Sequence, residues 1–476
     1  MESLPGEMIA EIGRYLSVAD LAACSATCRT WREKFNDDRI WRRRCTLRLA
    51  EYLENTDTTV SPDLQLTEHD SLSPLSMWHA RFIRENHLWN NWREGYYKVH
   101  QMACIYKGKI HTKFYKNDYV VMVLINKVKV WDVRDVPSCL LMNPCKLDPA
   151  FVVDYFQFLS EDRIIFMQSS KVSVFRMSVT SSHWPLIHSF YFDERLSTED
   201  FSLDDVKTRR PREDRIVSVL KSYFYTVSGE YFIGVAPESA RLVHIWNIKT
   251  GGKLKEVICP VSNPDSYFTK LYHAHNPSSD VVLVALENIQ EGRNLRARTH
   301  LYVYNLSELR FRDFTHCLAG RGSTLHKCMI YEPYIFIKDY FFLSIYNYKT
   351  TRLIDIKPAV SIPIVLNGNV IYVTGGKFMQ FNVSTGQTNQ LSTFNAHPSF
   401  TVACDRFITQ YRSSGQDFEV LEVSSREMRY EFSIQPNNSY WLSTRMAKTN
   451  AMCTKKIIIE FDLETNKRKV YIINFW

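Results

Sequence analysis

The first fifty residues place hydrophobic side chains at the spacing of an α-helix. Pro5 suits the first turn of a helix, where its missing N–H leaves no hydrogen bond unmade. One side of this predicted helix is apolar, since it carries Met8, Ile9, Ile12 and Leu16. We expect three helices in this stretch, and together they form only a very small core.

Two more predicted helices follow the first. Ser17 and Asp20 have the spacing of a capping box and mark the start of the second helix. Its apolar stripe recurs every three or four residues, at Leu21, Cys24, Cys28 and Trp31. We interpret the two cysteines as small core residues. The polar segment 36–38 offers a cap for the third helix, which begins with Ile40, Trp41 and the run Arg42-Arg43-Arg44.

A polar segment separates these helices from the rest of the chain. Residues 54–76 include Pro62 and Pro74 and show no periodicity, so we interpret them as a linker or a surface excursion. A helical pattern then resumes with Leu75, Trp78, Phe82 and Leu88. Gly95 suits the C-cap of this helix, because glycine readily takes the left-handed conformation that ends many helices.

From about residue 96 the hydrophobic period changes to two, which is the period of a β-strand. A short sequence motif, which we call the phrase, recurs eight times around a large anchor residue. The anchors are Trp131, Phe175, Trp246, Tyr304, Tyr346, Phe381, Leu421 and Phe461. The residue three before each anchor is apolar, and the residue after it is Asp or Asn in six of the eight phrases. Apolar side chains on both strand faces predict sheets that are covered on both sides.

A β-propeller covers its sheets in this way, because each blade packs between two others. The last four anchors are 35, 40 and 40 residues apart, close to the ~40–45 residues of WD-type repeats. Eight phrases favour eight blades, and seven is the alternative if an early phrase is misaligned.

One interval between anchors is too long for a single blade. Phe175 and Trp246 are 71 residues apart, and the charged segment 193–215 follows a predicted outermost strand at 183–192. Its first half is acidic and its second half is basic. We leave two interpretations open: a solvated loop, or a loop for binding or modification.

Composition narrows the classes of protein further. The 476 residues carry a net charge of +8 that is spread along the chain, and basic and aromatic residues do not gather as nucleic-acid binding requires. The 11 cysteines form no C-x-x-C pair, so we expect free thiols in a reducing compartment. The start lacks the pattern of a secretory signal and no apolar run reaches membrane-spanning length. We therefore expect a cytoplasmic or nuclear protein without membrane or nucleic-acid partners.

The sequence lacks the usual motifs of catalytic and metal-binding sites. No G-x-S-x-G elbow occurs, and the glycines of residues 374–377 fall inside a predicted hairpin instead of a phosphate-binding loop. His273 and His275 lack further ligands at a recognisable spacing, so we interpret them as structural. We expect no cofactor, no metal and no catalysis. A further hypothesis is that arginines line the propeller mouth and bind an acidic or phosphorylated segment through charge-assisted hydrogen bonds. The candidates are Arg241, Arg296, Arg298, Arg406, Arg412 and Arg445.

The amino-acid sequence of the predicted N-terminal helices is similar to the F-box motif. The matching residues, in the order and spacing of that motif, are Leu4-Pro5, Glu7-Met8-Ile9, Ile12, Tyr15-Leu16, Asp20-Leu21, Cys28-Arg29-x-Trp31 and Ile40-Trp41. F-box domains dock on a Skp-type adaptor and so attach a substrate receptor to a cullin–RING ubiquitin ligase. The resemblance implies that nine residues contact the adaptor or form the core: Leu4, Pro5, Ile9, Ile12, Leu16, Leu21, Cys28, Trp31 and Trp41.

The rest of the chain resembles F-box/WD-repeat proteins, in which a helix and an Asn-Trp-Arg-x-Gly phrase, here residues 91–95, precede a propeller. The repeats resemble degenerate WD repeats. The Trp-Asp pair survives only at Trp131-Asp132 and the usual Gly-His dipeptide is absent. This departure puts the side-chain hydrogen-bond network of regular repeats in question, while blade packing needs only the apolar positions.

These observations predict an α+β multidomain chain. Residues 1–50 form an all-α F-box, residues 51–95 a linker and connecting helix, and residues 96–476 an all-β propeller. The resemblance implies the substrate-recognition subunit of an SCF-type (Skp–cullin–F-box) ubiquitin ligase, a non-catalytic adaptor that acts by proximity. The alternative is an F-box/propeller scaffold that assembles a complex without ubiquitin transfer. A propeller hydrolase or lyase ranks third, because the strand phrases contain no convergent carboxylates or histidines.

Overall fold

A computed structural model describes the chain between residues 4 and 475. Residues outside the description are 46–74, 107–109, 117, 150, 161, 169–170, 192–224, 236–240, 262–265, 274–279, 292–293, 320–326, 340, 359–360, 367, 392–395, 397–399, 404–405, 412–416, 424–426, 434–454 and 463–466. The predicted linker up to residue 74 and the whole charged segment 193–215 therefore lie outside the described residues. The boundaries predicted at residues 50 and 95 stay predictions.

Five helices precede the first strand in the described residues. They are α1 (Gly6–Tyr15), α2 (Val18–Thr27), α3 (Arg29–Phe35), α4 (Asp38–Arg42) and α5 (Met77–Glu94). The predicted capping box is confirmed, since Ser17 accepts from the Asp20 N–H and the Asp20 side chain accepts from the Ser17 N–H. Gly95 ends α5 with φ 73°, as predicted.

The prediction of one helix across Leu21 to Trp31 is wrong. Cys28 takes an extended conformation (φ −159°, ψ 169°) and separates α2 from α3. Just before it, Ser25 Oγ and Thr27 Oγ1 donate to the carbonyls of Leu21 and Cys24 at 2.9 and 2.6 Å. Such bonds let serine and threonine compete with the helical pattern. The N-terminal unit therefore has four short helices instead of three.

The core of α1 to α4 is small and apolar. Its fully buried members are Ile9, Ala10, Leu21, Phe35, Ile40 and Trp41. Trp41 Nε1 donates to the Phe35 carbonyl at 2.7 Å, which satisfies the indole in this core. Trp78 and Phe82 of α5 pack against the same cluster. The connecting helix thus completes the core of the N-terminal helices.

Hydrogen bonds and ring stacking fix the start of α5 on α4. The side chain of Asn36 accepts from the Ser76 N–H at 2.9 Å, and Asp38 accepts from the Trp78 N–H at 2.8 Å. The His79 ring stacks on Trp41 with 3.8 Å between centroids and 4° between planes. Burial in this stack lowers the pKa of His79.

Strands make up the rest of the described chain, and β1 (Lys98–Tyr106) comes first. Sheets 1 to 4 contain β2 (Ile110–Tyr115), β3 (Tyr119–Leu124), β4 (Lys127–Asp132) and β5 (Ser138–Met142); β6 (Val153–Ser160), β7 (Arg163–Gln168), β8 (Lys171–Arg176) and β9 (Leu186–Tyr191); β10 (Tyr225–Ser228), β11 (Tyr231–Val235), β12 (Leu242–Asn247) and β13 (Lys253–Ile258); and β14 (Tyr267–His273), β15 (Asp280–Glu291), β16 (Asn294–Asn305) and β17 (Arg310–Ala319).

Sheets 5 to 7 repeat the four-stranded pattern. They contain β18 (Lys327–Tyr331), β19 (Tyr334–Lys338), β20 (Phe342–Asn347) and β21 (Arg352–Pro358); β22 (Ile364–Leu366), β23 (Asn369–Thr374), β24 (Lys377–Asn382) and β25 (Gln387–Gln390); and β26 (Phe400–Ala403), β27 (Phe407–Tyr411), β28 (Asp417–Glu422) and β29 (Glu427–Ser433). Sheet 8 has three described strands, β30 (Lys455–Asp462), β31 (Lys467–Asn474) and β1, with β31 in the middle.

The eight described sheets are the blades of a β-propeller. Every pairing within them is antiparallel between neighbours in the chain, except that β1 pairs with β31 and joins the two ends of the strand region. Apolar clusters fill the seams between successive sheets from sheet 8 and sheet 1 round to sheets 6 and 7. First strands of neighbouring sheets contact one another, as in β10 with β14 and β14 with β18. The predicted propeller is confirmed.

Seven of the eight anchors lie on the third strand of their sheet, from Trp131 on β4 to Leu421 on β28. The eighth phrase was misplaced. Phe461 lies on β30, and β31 occupies the place of a third strand, because it pairs on one side with β30 and on the other with the outer strand β1. Ile473 and Asn474 on β31 are the residues that repeat the phrase.

The departure of the repeats from regular WD repeats affects the hydrogen bonding of two anchor residues. The indole nitrogens of Trp131 and Trp246 are buried and have no hydrogen-bond partner within the described ranges of the propeller. Apolar packing therefore holds these two anchors, and the doubt about the hydrogen-bond network of regular WD repeats is confirmed at both.

The second half of α5 packs on the seam between sheets 7 and 8. The Trp92 ring, which is fully buried, stacks between Phe407 and Phe475 with centroids 5.3 and 3.7 Å away. Asn91 Nδ2 donates to the Phe475 carbonyl at 2.7 Å. Arg93 pairs with the buried Glu422 of β28 at 3.1 Å. One helix of 18 residues, about 27 Å long, thus binds the N-terminal helices at one end and the propeller at the other.

Replacing Trp92 should weaken this junction. We expect Trp92→Ala to lower the free energy of unfolding by about 3–5 kcal/mol, because it leaves a cavity between two aromatic rings. Urea denaturation followed by fluorescence measures the change. The control Ile83→Ala removes an exposed side chain of the same helix and should change stability by less than about 0.5 kcal/mol. Equal effects of the two substitutions would contradict the assigned packing.

The buried His79 should make the junction sensitive to acid. Its folded pKa lies below the ordinary 6.5, so the unfolded chain takes up a proton first as the pH falls. Stability is unaffected by this group well above pH 6.5 and is lost as the pH falls through that value towards the folded pKa. His79→Phe keeps a ring against Trp41, and its urea stability should fall less between pH 7.5 and 5.5 than that of the wild type. The control Ile83→Ala changes an exposed side chain of the same helix that carries no titratable group, and it should leave the wild-type slope unchanged.

Candidate protein-interaction surfaces

The structure divides the nine residues predicted for adaptor contact or core formation. Ile9, Leu21 and Trp41 are at most 2% exposed and belong to the core. A partner protein cannot reach them without unfolding the helices. The structure therefore assigns these three residues to the stability of the unit.

The other six predicted residues are accessible to different extents. Pro5 and Cys28 are exposed, whereas Leu4, Ile12, Leu16 and Trp31 are half-buried. The interpretation of Cys28 as a core residue is wrong, because the break between α2 and α3 turns it to solvent. Cys24 packs partly buried against the core, as predicted. Adaptor contact by these residues stays a prediction.

Helix α1 carries a second apolar stripe that faces away from the core. Met8 is 52% exposed and Tyr15 is 84% exposed, with the half-buried Ile12 between them. Val18 at the start of α2 adds a further exposed apolar side chain. Of these, only Ile12 was predicted as a site residue. The signal was present in the sequence, because residues 8, 12 and 15 have the i, i+4, i+7 spacing of one helix face.

The propeller meets α5 on one defined face. Phe407 follows the turn between the first two strands of sheet 7, and Glu422 and Phe475 lie where the third strands of sheets 7 and 8 end. In an up-and-down sheet, the turns after the first and third strands lie at the same edge. We call this edge the helix face. The turns after the second strands and the connections between sheets then lie on the opposite face.

The opposite face carries the longest hairpin of the described chain. β15 and β16 pair over twelve residues each, from Asp280 with Asn305 to Glu291 with Asn294. Their neighbours stop earlier, since β14 reaches only Leu286 and β17 only Arg298. The ends of β9 and β10, which flank the undescribed residues 192–224, lie at the same edge of the propeller. The period-two pattern of hydrophobic residues did not predict the extended hairpin.

The arginines predicted at the propeller mouth do not form one group. Arg406 lies on the helix face, where its guanidinium covers the Trp89 ring at 4.9 Å and is 3.5 Å from Glu422. Arg241 donates to the Val261 carbonyl at 3.0 Å, and Arg298 is exposed near the base of the long hairpin. The prediction is wrong for Arg406. The side chain of Arg296 and all of Arg412 and Arg445 lie outside the described residues.

One cluster of buried polar groups in the propeller surrounds Asp280. Asp280 accepts from Asn305 at 2.6 Å, from Tyr348 of the next sheet at 2.8 Å and from Arg312 at 3.3 Å. This cluster links sheets 4 and 5. Within the described part of the chain no three His, Cys, Asp or Glu side chains are grouped to hold a metal ion. The side chains of His273 and His275 lie outside that part.

The predicted hairpin at residues 374–377 is confirmed. β23 and β24 meet there, and Gly375 and Gly376 have φ of 55° and 71°. Such a turn has positive φ at both central residues, which glycine adopts without strain. These glycines therefore turn a chain and do not surround a phosphate. Of the helices described, none is long and apolar enough to cross a membrane.

Comparisons with known proteins give a family match for the N-terminal helices. The F-box-like family model matches residues 1–47. No curated protein matches the chain. Among solved structures the chain is similar to BamB from Moraxella catarrhalis, at 10% identity over 79% of this chain and 99% of that chain, with a TM-score of 0.42.

Two further solved structures are similar over a smaller part. The WD40 domain of Neurospora crassa Pan2 matches at 9% identity over 68% of this chain and 89% of that chain, with a TM-score of 0.35. Apo AztD from Citrobacter koseri matches at 10% identity over 68% and 86%, with a TM-score of 0.40. The sheets and seams described above, together with the family match, show that the chain is an F-box/propeller protein, with an F-box-like domain at its N-terminus followed by a β-propeller.

Proposed function

We propose that the chain is the substrate-recognition subunit of an SCF-type ubiquitin ligase. Its F-box-like domain binds a Skp-type adaptor, and its propeller holds the substrate near the ubiquitin-conjugating enzyme. Proximity of this kind raises the effective concentration of substrate lysines without any bond-making by the chain itself. In this proposal the chain acts as a non-catalytic adaptor in the cytoplasm or nucleus.

One observation carries this proposal. In the second stripe of α1, Met8 and Tyr15 are exposed and Ile12 between them is half-buried, although the core of the N-terminal helices forms without these three residues. Apolar side chains gathered on one exposed face mark a surface for another protein. F-box domains commonly bind Skp-type adaptors, and the family match covers this helix.

The contacts of α5 support the proximity mechanism. A receptor must hold its substrate at a fixed place relative to the adaptor, because a loose link lowers the effective concentration. Here the same helix packs on Trp41 at one end and between Phe407 and Phe475 at the other. No hinge interrupts α5 between these contacts. We expect substrate on the opposite face, because α5 and its partners cover part of the helix face.

Adaptor binding should depend on the N-terminal edge of the F-box-like domain. The double substitution Leu4→Ala with Pro5→Ala should weaken binding of a purified Skp-type adaptor about tenfold or more, since both residues are accessible and apolar. Titration calorimetry with the full chain measures the change. Thr30→Ala, at an exposed polar position on α3, serves as the control and should bind like the wild type. Undiminished binding by the double variant, with unchanged thermal unfolding, would contradict the assignment of Leu4 and Pro5.

Ligase function is tested by which subunits assemble with the chain. Affinity purification of the intact chain should recover adaptor, cullin and RING subunits together, and the purified complex should form ubiquitin conjugates when charged conjugating enzyme is added. Met8→Asp with Ile12→Asp should remove all three subunits at once, because both changes place charge on the proposed contact surface. Recovery of the adaptor alone, with no conjugates, would instead identify a scaffold without ubiquitin transfer.

A further inference from the structure

A concave pocket lies between α1 and α4 on the F-box-like domain. Its volume is about 180 Å³, and its lining consists of Ala10, Gly13, Arg14, Ile40, Arg43 and Arg44. A Cβ atom at Gly13 would come within 3.2 Å of Ile40 Cδ1. A larger residue at this position would require the Ile40 side chain to shift by a few tenths of an ångström, so glycine suits the close approach of the two helices. The three arginines surround the pocket.

The charges around the pocket do not balance. Arg14 forms hydrogen bonds of 2.7 Å with both carboxylate oxygens of Glu11. Arg43 is exposed and is paired with no carboxylate in the described part of the chain. Three guanidiniums and one carboxylate leave a net charge of +2 at one small concave site.

Arg44 is held by the end of α1 and is incompletely satisfied. Its Nη2 donates to the carbonyls of Gly13 and Leu16, both at 2.7 Å. These bonds fix the guanidinium beside the pocket. Its Nε is buried and has no hydrogen-bond partner among the residues that the structure describes. The protein therefore positions a guanidinium here without using all of its donors.

We propose that this pocket binds an oxyanion of the phosphate class, either free phosphate or a phosphomonoester. Guanidinium groups form paired, charge-assisted hydrogen bonds with phosphate oxygens. A phosphate group carries between one and two negative charges near neutral pH, which complements the net charge of the pocket. The volume accommodates one such group above the small floor of Ala10 and Gly13.

This site is separate from the proposed adaptor surface. Successive residues of an α-helix are rotated by about 100° around its axis, so Arg14 lies about 160° away from Ile12. The pocket therefore opens on the side of α1 away from the stripe of Met8, Ile12 and Tyr15. Oxyanion binding and adaptor binding can occur on the same molecule, and failure of one does not imply failure of the other.

The test titrates the full chain with inorganic phosphate by calorimetry at constant ionic strength, with chloride as the reference anion. Saturable binding is expected for the wild type. Arg14→Gln with Arg43→Gln should weaken it about tenfold or more, since charge-assisted hydrogen bonds to a phosphate are stronger than neutral ones. Arg44 is left intact because it holds the end of α1. The control pair Arg29→Gln with Arg42→Gln removes the same charge outside the pocket and should bind within about twofold of the wild type.

Other results of this titration would overturn the proposal. No saturable heat with phosphate beyond that with chloride would show that the pocket binds no oxyanion. Equal weakening by the control pair would show that phosphate responds to the overall positive charge of the domain and does not bind the pocket specifically. A second arm with phosphoserine distinguishes the source: tighter binding than inorganic phosphate assigns a phosphomonoester, and weaker binding assigns the free ion.

Discussion

The stacking of Trp92 between Phe407 and Phe475 is the interaction on which the arrangement of the two modules depends. Seven seams of the propeller are filled by clusters that belong to their own sheets. At the seam between sheets 7 and 8, an indole from outside the propeller lies between a residue of each sheet. The helix that orients the F-box-like domain is therefore also a part of the propeller core, and the two modules are coupled in stability as well as in position.

A buried carboxylate reinforces that coupling. Glu422 is 1% exposed and faces Arg93 of α5 and Arg406 of the propeller. Removing a partner from a buried ion pair is destabilising, because the remaining buried charge loses compensation. Loss of α5 would therefore expose an aromatic seam and would leave Glu422 paired with Arg406 but without Arg93. The β1–β31 pairing directly after α5 adds a third tie, so the closure of the ring and the attachment of the helix are continuous in the chain.

Local signals in the sequence predicted what local physics decides. The capping box at Ser17, the helix end at Gly95 and seven anchors on third strands all depend on neighbours within a few residues. The eighth phrase failed because β30 and β31 share the same apolar alternation, and only pairing with β1, over 350 residues earlier in the chain, identifies the third strand. The partners of Trp92 are equally remote in sequence. Similarly, the exposure of Cys28 depends on how α2 and α3 pack, and the hydrophobic periodicity of the sequence does not specify that packing.

The packing of α5 also changes how adaptor binding should proceed. The sequence predicts only a very small core for the N-terminal helices, since so few residues bury little apolar surface. In the structure, Trp78, His79 and Phe82 of the chain itself cover one side of that core. The remaining stripe on α1 is then a preformed surface, and binding it does not require the domain to fold. Preformed surfaces avoid the entropic cost of ordering at association, so the chain can present the same rigid geometry before and after the adaptor arrives.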